Sequence, residues 1–152
     1  MKTRNYSWSD FDILVSKLLS TQLSEQKFNR ILAIARGGVV LGQVLGYKLR
    51  LPVTFITCQS YDAQQKTDEV RLEKITIPGD KILAIDDILD TGDTMKEVVK
   101  TYPGIVGICT LHSKIEQRRL RLLFSQPVYI GGYIEKEIWA SYPWERIAGE
   151  AA

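Results

Sequence analysis

The spacing of hydrophobic residues along the chain alternates between helical periods and the continuous apolar runs that are typical of buried strands. Within residues 9–20, Phe11 and Leu18 belong to an apolar face that recurs at helical spacing. Ser9, followed three residues later by Asp12, resembles a capping box and marks a helix start. This segment therefore predicts an amphipathic opening helix.

Continuous apolar runs predict buried strands along the rest of the chain, with helical or loop segments between them. The strands are predicted at 31–35, 52–61, 81–87, 104–112 and 127–132, and the helical segments at 39–49, 93–102 and 115–124. Strands that are apolar throughout and alternate with helices are typical of a parallel sheet covered on both faces. The sequence predicts an α/β fold with a mostly parallel sheet flanked by helices, in a single domain spanning 1–152.

One polar segment, DAQQKTDEVRLEK at about 62–74, interrupts this alternation. It has too few apolar side chains to bury, so it is expected to leave the body of the protein, and a hairpin with the following LEKITIP is one way to close it. A solvated surface loop and an active-site lid both remain open as interpretations. The lid is favoured if neighbouring strand ends hold the chemistry.

Composition and charge exclude several classes of protein. The 20 basic and 18 acidic residues give a net charge of +2, which provides no broad basis for nucleic-acid binding. The N-terminus lacks an apolar signal core, and no run approaches the roughly 18 apolar residues of a membrane span, so a cytoplasmic protein without integral membrane association is expected. Cys58 and Cys109 lie in apolar strand-like runs and are expected to be buried, reduced thiols.

The segment ILAIDDILDTGDT, residues 82–94, carries the most specific chemistry. A buried strand ending in Asp86 and Asp87 is followed by a turn whose glycine, Gly92, lets the backbone approach a ligand closely. Free amides at the start of the next helix suit a phosphate, whereas the carboxylates suit sugar hydroxyls and Mg²⁺. A ligand that combines phosphate, ribose and metal satisfies all of these groups. A solvated turn, an N-cap or an acidic pocket of the receiver-domain kind are the alternatives.

This segment resembles the phosphoribosyl-pyrophosphate signature of type I phosphoribosyltransferases: an apolar strand, two acids, two apolar residues and DTGDT. The resemblance extends from about Tyr6 to Glu145 and is strongest to bacterial xanthine-guanine and hypoxanthine phosphoribosyltransferases. The matching segments are IARGGVVLG (34–42) with the pyrophosphate loop, SYD (60–62) with the start of the flexible lid, HSK (112–114) with the lysine that reads the base, and IWASYPWE (138–145) with the purine hood.

The resemblance implies an activity in purine salvage. Phosphoribose would be transferred from phosphoribosyl pyrophosphate to a 6-oxopurine, namely guanine, hypoxanthine or xanthine, with release of pyrophosphate and a requirement for Mg²⁺. It further implies a small C-terminal hood at about 133–147 and assembly as a homodimer or homotetramer.

The resemblance also assigns roles in the phosphoribosyl half of the site. Asp86 and Asp87 would hold the ribose diol and Mg²⁺, directly or through water, and Asp90 would be the catalytic residue that accepts or shields the purine N7 proton. The 5′-phosphate would be cradled by Asp90, Thr91, Gly92, Asp93 and Thr94. The pyrophosphate would meet Arg36 and the amides of Gly37 and Gly38. Asp93 is unusual at its position, and its side chain is expected to face solvent.

In the purine half, the resemblance implies that Lys114 donates to O6, Trp139 stacks on the ring, and the backbone of Ala140 reaches the purine edge. Ser141 replaces an acidic residue near the 2-position, so the choice among 6-oxopurines stays open. The alternatives are an ordinary exposed lysine for Lys114 and core or interface aromatics for Trp139 and Trp144, the latter being preferred for Trp144. Lid contacts are assigned to Ser60, Tyr61, Lys66 and Arg71, and a solvated face to Arg118, Arg119 and Arg121.

Two other functions fit the same fold. A regulatory protein would keep the fold and bind phosphoribosyl pyrophosphate or a nucleotide as a signal. A base pocket containing Asp90, Lys114 and Trp139 argues against such a sensor, because a sensor does not need one. An enzyme of the same class with a non-purine acceptor is the other possibility, which the hood would distinguish.

Overall fold

A computed structural model of the protein describes residues 1–60, 70–72, 74–147 and 150. The elements follow one another as β1 (Lys2–Asn5), α1 (Trp8–Leu19), β2 (Arg30–Ala35), α2 (Val39–Leu49), β3 (Val53–Ser60), β4 (Val70–Leu72), β5 (Ile82–Leu89), α3 (Asp93–Thr101), β6 (Ile105–Ser113), α4 (Gln117–Leu123), β7 (Val128–Tyr133) and β8 (Ile138–Ser141). Short 3₁₀ turns occupy Gln22–Glu25 and Pro143–Glu145. Within these described residues, every helix is too short or too polar to cross a membrane.

The main sheet has six strands in the order β4-β3-β2-β5-β6-β7. Every pairing from β3 to β7 is parallel, and only the edge pair of β3 with β4 is antiparallel. Hydrophobic cores lie on both faces of this sheet, with α1 and α2 packed on one and α3 and α4 on the other. The predicted α/β fold with a mostly parallel, helix-flanked sheet is therefore confirmed.

Strand β2 shows why the apolar runs are continuous. Ile31 and Ala33 belong to the core beneath α1 and α2, whereas Leu32 and Ile34 belong to the core beneath α3 and α4. Successive side chains of a strand point to opposite faces, so a strand between two helical layers must be apolar at every position.

The start of α1 differs from the prediction by two residues. Ser7, not Ser9, is the N-cap: its hydroxyl accepts from the amide of Asp10, and the Asp10 carboxylate accepts from the amide of Ser7 at 2.7 Å. The segment SWSDFD, residues 7–12, contains two overlapping serine–aspartate pairs at capping-box spacing, and the sequence alone did not distinguish them. The earlier start puts Trp8 inside the helix, where its ring lies 5.8 Å from that of Phe11.

A second, two-stranded sheet was not predicted. β1 pairs in parallel with β8, so that Thr3 lies opposite Trp139 and Arg4 opposite Ala140. The four residues of β1 are polar and all exposed, so they carry no hydrophobic pattern from which a strand can be inferred. The N-terminus is thereby joined to the segment predicted as the hood.

The predicted lid is only partly covered by the structure. Tyr61 and Lys66 lie outside the described residues, as does most of the segment 62–74. For Ser60 and Arg71 only the backbone is described, within the antiparallel pair of β3 and β4. This pairing agrees with a hairpin at this edge, although its second strand is Val70–Leu72 rather than LEKITIP.

The two cysteines are free thiols, as expected, but they differ in burial. Cys109 is buried in the middle of β6, where burial raises the pKa of its thiol. Cys58 is only half-buried, so the expectation of two buried thiols is wrong for this residue. It lies on β3, whose outer neighbour among the described strands is the short β4, and this position near the sheet edge explains its partial exposure.

A buried polar cluster connects the hood to the main sheet. The His112 ring nitrogen Nδ1 lies 2.8 Å from the hydroxyl of Tyr142, and the Tyr6 ring lies 4.5 Å from the imidazole. The Tyr142 hydroxyl also reaches the backbone carbonyl of Asp87 at 3.4 Å. Burial, with the nearby Arg4 charge, lowers the pKa of His112 to about 4, so the imidazole is neutral near pH 7.

This shift predicts an acid-sensitive contribution to stability. The folded protein binds the His112 proton less readily than the unfolded chain, so stability present above pH 6.5 is lost as the pH falls through about 4. The His112→Gln variant lacks this titration. The native free energy of unfolding should fall relative to that of the variant by about 3 kcal/mol over this window. Urea unfolding of both proteins between pH 7 and pH 4 measures the difference, and parallel pH profiles would contradict it.

Candidate active site

The adjacent acids Asp86 and Asp87 lie within β5, which continues to Leu89, rather than at the strand's end as predicted. Both residues are half-buried, and the amide of Asp87 donates to the Asp86 carboxylate at 2.9 Å. Burial raises the pKa of both carboxyls, and the neighbouring Asp87 charge raises that of Asp86 further. Burial and mutual repulsion disfavour the charged forms of these neighbouring carboxyls. A divalent cation bound between them would stabilise the charged forms.

The chemistry of these acids fits Mg²⁺ supplied together with a substrate. No salt bridge to either carboxylate occurs among the described residues, and no cluster of three or more acidic, histidine or cysteine ligands occurs there either. Mg²⁺ in nucleotide-type sites is commonly held by one or two carboxylates, with substrate oxygens and water completing the shell. Asp86 and Asp87 match that donor set.

The loop after β2 lies directly against these acids. A β-carbon at Gly37 would come within 2.5 Å of the Asp87 carboxylate, and one at Gly38 within 2.5 Å of the Ile85 carbonyl. Any larger residue would therefore displace the loop or cover the acids. Arg36 precedes the glycines with an exposed side chain, and the peptide bond before it is cis. Of the three residues assigned to the pyrophosphate, Gly37 and Gly38 thus border the acids.

The turn from β5 into α3 carries the residues that were predicted to form a phosphate cradle. Gly92 is the N-cap of α3 with φ of 88°, a left-handed conformation that disfavours other residues. The Thr91 hydroxyl accepts from the amide of Asp93 at 3.3 Å, and the side chain of Thr94 is half-buried. Asp93 is exposed, as expected. The first turn of α3 presents the amides that such a cradle requires.

A cavity of about 590 Å³ adjoins this cradle and brings Asp90, Thr91 and Lys114 together. The Lys114 ammonium lies 3.6 Å from the Asp90 carboxylate and donates to the carbonyl of Lys136 at 3.3 Å. The Lys114 side chain is only 6% exposed, whereas that of Asp90 is 64% exposed. Lys114 is therefore not an ordinary exposed lysine. With two partners for three donors, the ammonium keeps a hydrogen-bonding position for a ligand.

Several residues that line this cavity were not predicted from the sequence. They are Ser113, Ile115, Glu116, Arg119, Tyr133, Ile134, Glu135 and Lys136. Arg119 is exposed, as expected, but it lies at the cavity rather than on a remote solvated face. Its place at the cavity could have been inferred from its position in the sequence, one helical turn into the segment that follows Lys114. Glu135 and Lys136 fall within the predicted hood at about 133–147, but the sequence indicated no individual role for either residue.

The other purine-half candidates are not among the residues that line this cavity. Trp139 is 57% exposed on β8, and Ala140 beside it is half-buried. Ser141 is 8% exposed, and its hydroxyl accepts from Arg146 at 2.7 Å, so this oxygen is already bonded within the protein. Trp144 stacks on Tyr142 with ring centroids 4.8 Å apart, which confirms its expected structural role.

The chain is similar to known proteins over most of its length. Residues 7–125 match the phosphoribosyl transferase domain family. The xanthine-guanine phosphoribosyltransferase of Idiomarina loihiensis is 25% identical over 143 residues, which cover 91% of this chain and 84% of that protein.

Two solved structures share the fold. A hypothetical protein from Neisseria gonorrhoeae with bound ppGpp has a TM-score of 0.77 and 22% identity, covering 97% of this chain and 91% of that chain. The purine phosphoribosyltransferase from Pyrococcus horikoshii Ot3 has a TM-score of 0.70 and 21% identity, covering 100% of both chains. The chain therefore belongs to the phosphoribosyltransferase family, with the type I fold, and is an enzyme related to bacterial xanthine-guanine phosphoribosyltransferases.

Proposed function

We propose that this enzyme transfers phosphoribose from phosphoribosyl pyrophosphate to N9 of a 6-oxopurine, giving a nucleoside monophosphate and pyrophosphate. The observation that carries the proposal is the buried Lys114 ammonium beside Asp90, in a cavity that adjoins the phosphate cradle. The relatedness to xanthine-guanine phosphoribosyltransferases supports the same substrate class. We also propose that the enzyme acts as a homodimer or homotetramer, which sedimentation equilibrium can test.

The phosphoribosyl half of the substrate fits the loops around β5. The amides at the start of α3 and the hydroxyl groups of Thr91 and Thr94 would bind the 5′-phosphate, and the loop of Arg36 to Gly38 would bind the pyrophosphate. Asp86 and Asp87 would hold the ribose diol. When bound by these acids, directly or through water, Mg²⁺ would neutralise charge on the pyrophosphate.

The chemical step requires a base near the acceptor nitrogen. A bond forms between N9 and the ribose C1′ while the bond from C1′ to the pyrophosphate oxygen breaks, and the leaving group keeps that electron pair. The purine must lose a proton, which Asp90 would accept from N7. The Lys114 ammonium lies 3.6 Å from the Asp90 carboxylate and would donate to the purine O6.

We further propose that Trp139 stacks on the purine and that the backbone of Ala140 meets its edge. The Trp139 indole is exposed and takes part in none of the ring contacts found among the described aromatic residues. Its face is therefore open to a planar ligand. Because Ser141 is bound to Arg146, selectivity at the 2-position is assigned to neutral backbone groups, which favours activity with more than one 6-oxopurine.

A nucleobase screen tests this function. With phosphoribosyl pyrophosphate and Mg²⁺, pyrophosphate release should be seen with guanine and hypoxanthine, and adenine should be a poor substrate because Lys114 offers only donors to its 6-amino group. The Lys114→Met variant should lose about 10- to 100-fold of the preference for hypoxanthine over adenine.

The matched control for this experiment is Lys136→Met, which removes a cation at the same cavity and keeps the carbonyl that binds Lys114. It should keep the native preference. An unchanged preference in Lys114→Met would remove this residue from base recognition. Retained phosphoribosyl pyrophosphate binding without turnover of any base would instead favour a regulatory protein of this fold.

A further inference from the structure

Strand β8 carries two of the proposed base contacts, Trp139 and Ala140, and it is not part of the main sheet. Its strand neighbour in the described part of the chain is β1, at the N-terminus. The amide of Lys2 donates to the Glu137 carbonyl at 3.3 Å, and the amide of Tyr6 donates to the Ser141 carbonyl at 2.9 Å. The parallel ladder thus spans the whole length of β8.

Arg146 ties the same two strands together from the C-terminal side. One guanidinium nitrogen donates to the carbonyl and hydroxyl oxygens of Ser141, both at 2.7 Å, and contacts the Asn5 side chain at 3.4 Å. The other nitrogen donates to the Tyr6 carbonyl at 2.6 Å. These charge-assisted bonds fix the end of β1 against the end of β8.

A further contact links β1 to the cavity wall. The Arg4 guanidinium pairs with the Glu135 carboxylate at 3.4 Å, and Glu135 lines the cavity beside Lys136, whose carbonyl binds Lys114. Both side chains are substantially exposed, so the ion pair itself contributes little stability. Its geometry nevertheless places the N-terminal strand next to the base half of the cavity.

We propose that β1 and Arg146, here called the hood brace, act as positioning elements for purine binding, an inference that rests on the proposed function. A two-stranded sheet is marginally stable alone, so β8 depends on β1 and Arg146 for a fixed position. Base contacts that shift by about 1 Å lose much of their effect on rate. The hydrogen bonds and the ion pair of the brace go to β8, its neighbour Glu137, Tyr6 and Glu135. The phosphoribosyl half lies on β2, β5 and α3, so the two halves should respond differently when the brace is broken.

Two proline variants of β1 provide a matched test. The register directs the amide of Arg4 towards the Trp139 carbonyl, whereas the amide of Thr3 points away from β8. Arg4→Pro removes a ladder bond, while Thr3→Pro constrains the same strand without removing one. Arg4→Pro should raise KM for guanine or hypoxanthine about 10-fold or more and change KM for phosphoribosyl pyrophosphate less than twofold. Thr3→Pro should behave as the native protein. Arg4→Pro also removes the ion pair with Glu135, so Arg4→Ala, which removes the ion pair but keeps the backbone amide, measures that contribution separately.

Hydrogen exchange keeps this test independent of the substrate assignment. Amides of Ile138–Ser141 should exchange faster in Arg4→Pro than in Thr3→Pro, with β5 unchanged in both. Equal exchange and equal KM for the base in the two variants would overturn the brace. A third outcome is faster exchange at β8 in Arg4→Pro together with a native protein that uses no purine base. This outcome would uphold the structural part of the brace but overturn both the proposed function and the positioning role.

Discussion

Replacing Asp90 by asparagine is expected to lower turnover by about 10² or more while leaving the affinity for phosphoribosyl pyrophosphate nearly unchanged. Asparagine keeps the shape of the side chain and an oxygen for the Lys114 ammonium, but it cannot accept the purine proton. Calorimetry gives the affinity, and single-turnover release of pyrophosphate gives the rate of the chemical step.

Asp93→Asn is the matched control for this variant. Asp93 belongs to the same cradle and is also exposed, but it does not line the cavity with Lys114. Its replacement should leave turnover within a few-fold of native, because an outward carboxylate is largely screened from the site. A single-turnover rate that is equally native in both variants would remove Asp90 from the proposed mechanism.

The double replacement Asp86→Asn with Asp87→Asn is expected to abolish Mg²⁺-dependent binding of phosphoribosyl pyrophosphate, weakening it by at least about 10²-fold. Both changes keep side-chain oxygens, so the bond from the Asp87 amide to residue 86 can persist. Burial disfavours the charged form of both acids, so their removal should not destabilise the fold.

Calorimetric titration with and without Mg²⁺ provides the comparison for this experiment. The native protein should bind more tightly with the metal, and the double variant should show the same weak binding in both conditions. Urea unfolding of the variant checks that it is folded. If Mg²⁺ still strengthens binding in the folded double variant, the two acids have a structural role instead.

The sheet was predictable because its strands are buried on both faces. β2 and β5 are apolar at nearly every position for that reason, and the helices between strands left clear periods in the sequence. The strand order was not predictable in the same way, because it depends on contacts between distant segments. β1 was missed altogether, since its stability comes from backbone pairing and Arg146 rather than from buried side chains.

The site shows the same division between local and distant information. Gly92 and the acids of β5 follow one another in the chain, so a motif could identify them. Lys114 was identified only through the family resemblance, and its burial against Asp90 and Lys136 required the structure. Ser141 was placed near the base from its position in the hood, but the sequence contained no sign that Arg146 would occupy its hydroxyl.

The bond from the Tyr142 hydroxyl to the Asp87 carbonyl joins the segment that carries the proposed base contacts to the strand that carries the proposed ribose and metal contacts. Any coupling that this contact transmits is a free energy shared by the two binding equilibria. Thermodynamic linkage requires the coupling to be symmetric: the factor by which phosphoribosyl pyrophosphate changes the affinity for the base equals the factor by which the base changes the affinity for phosphoribosyl pyrophosphate. The order in which the substrates bind is then a kinetic property, and the energy of the ternary complex is the same by either route.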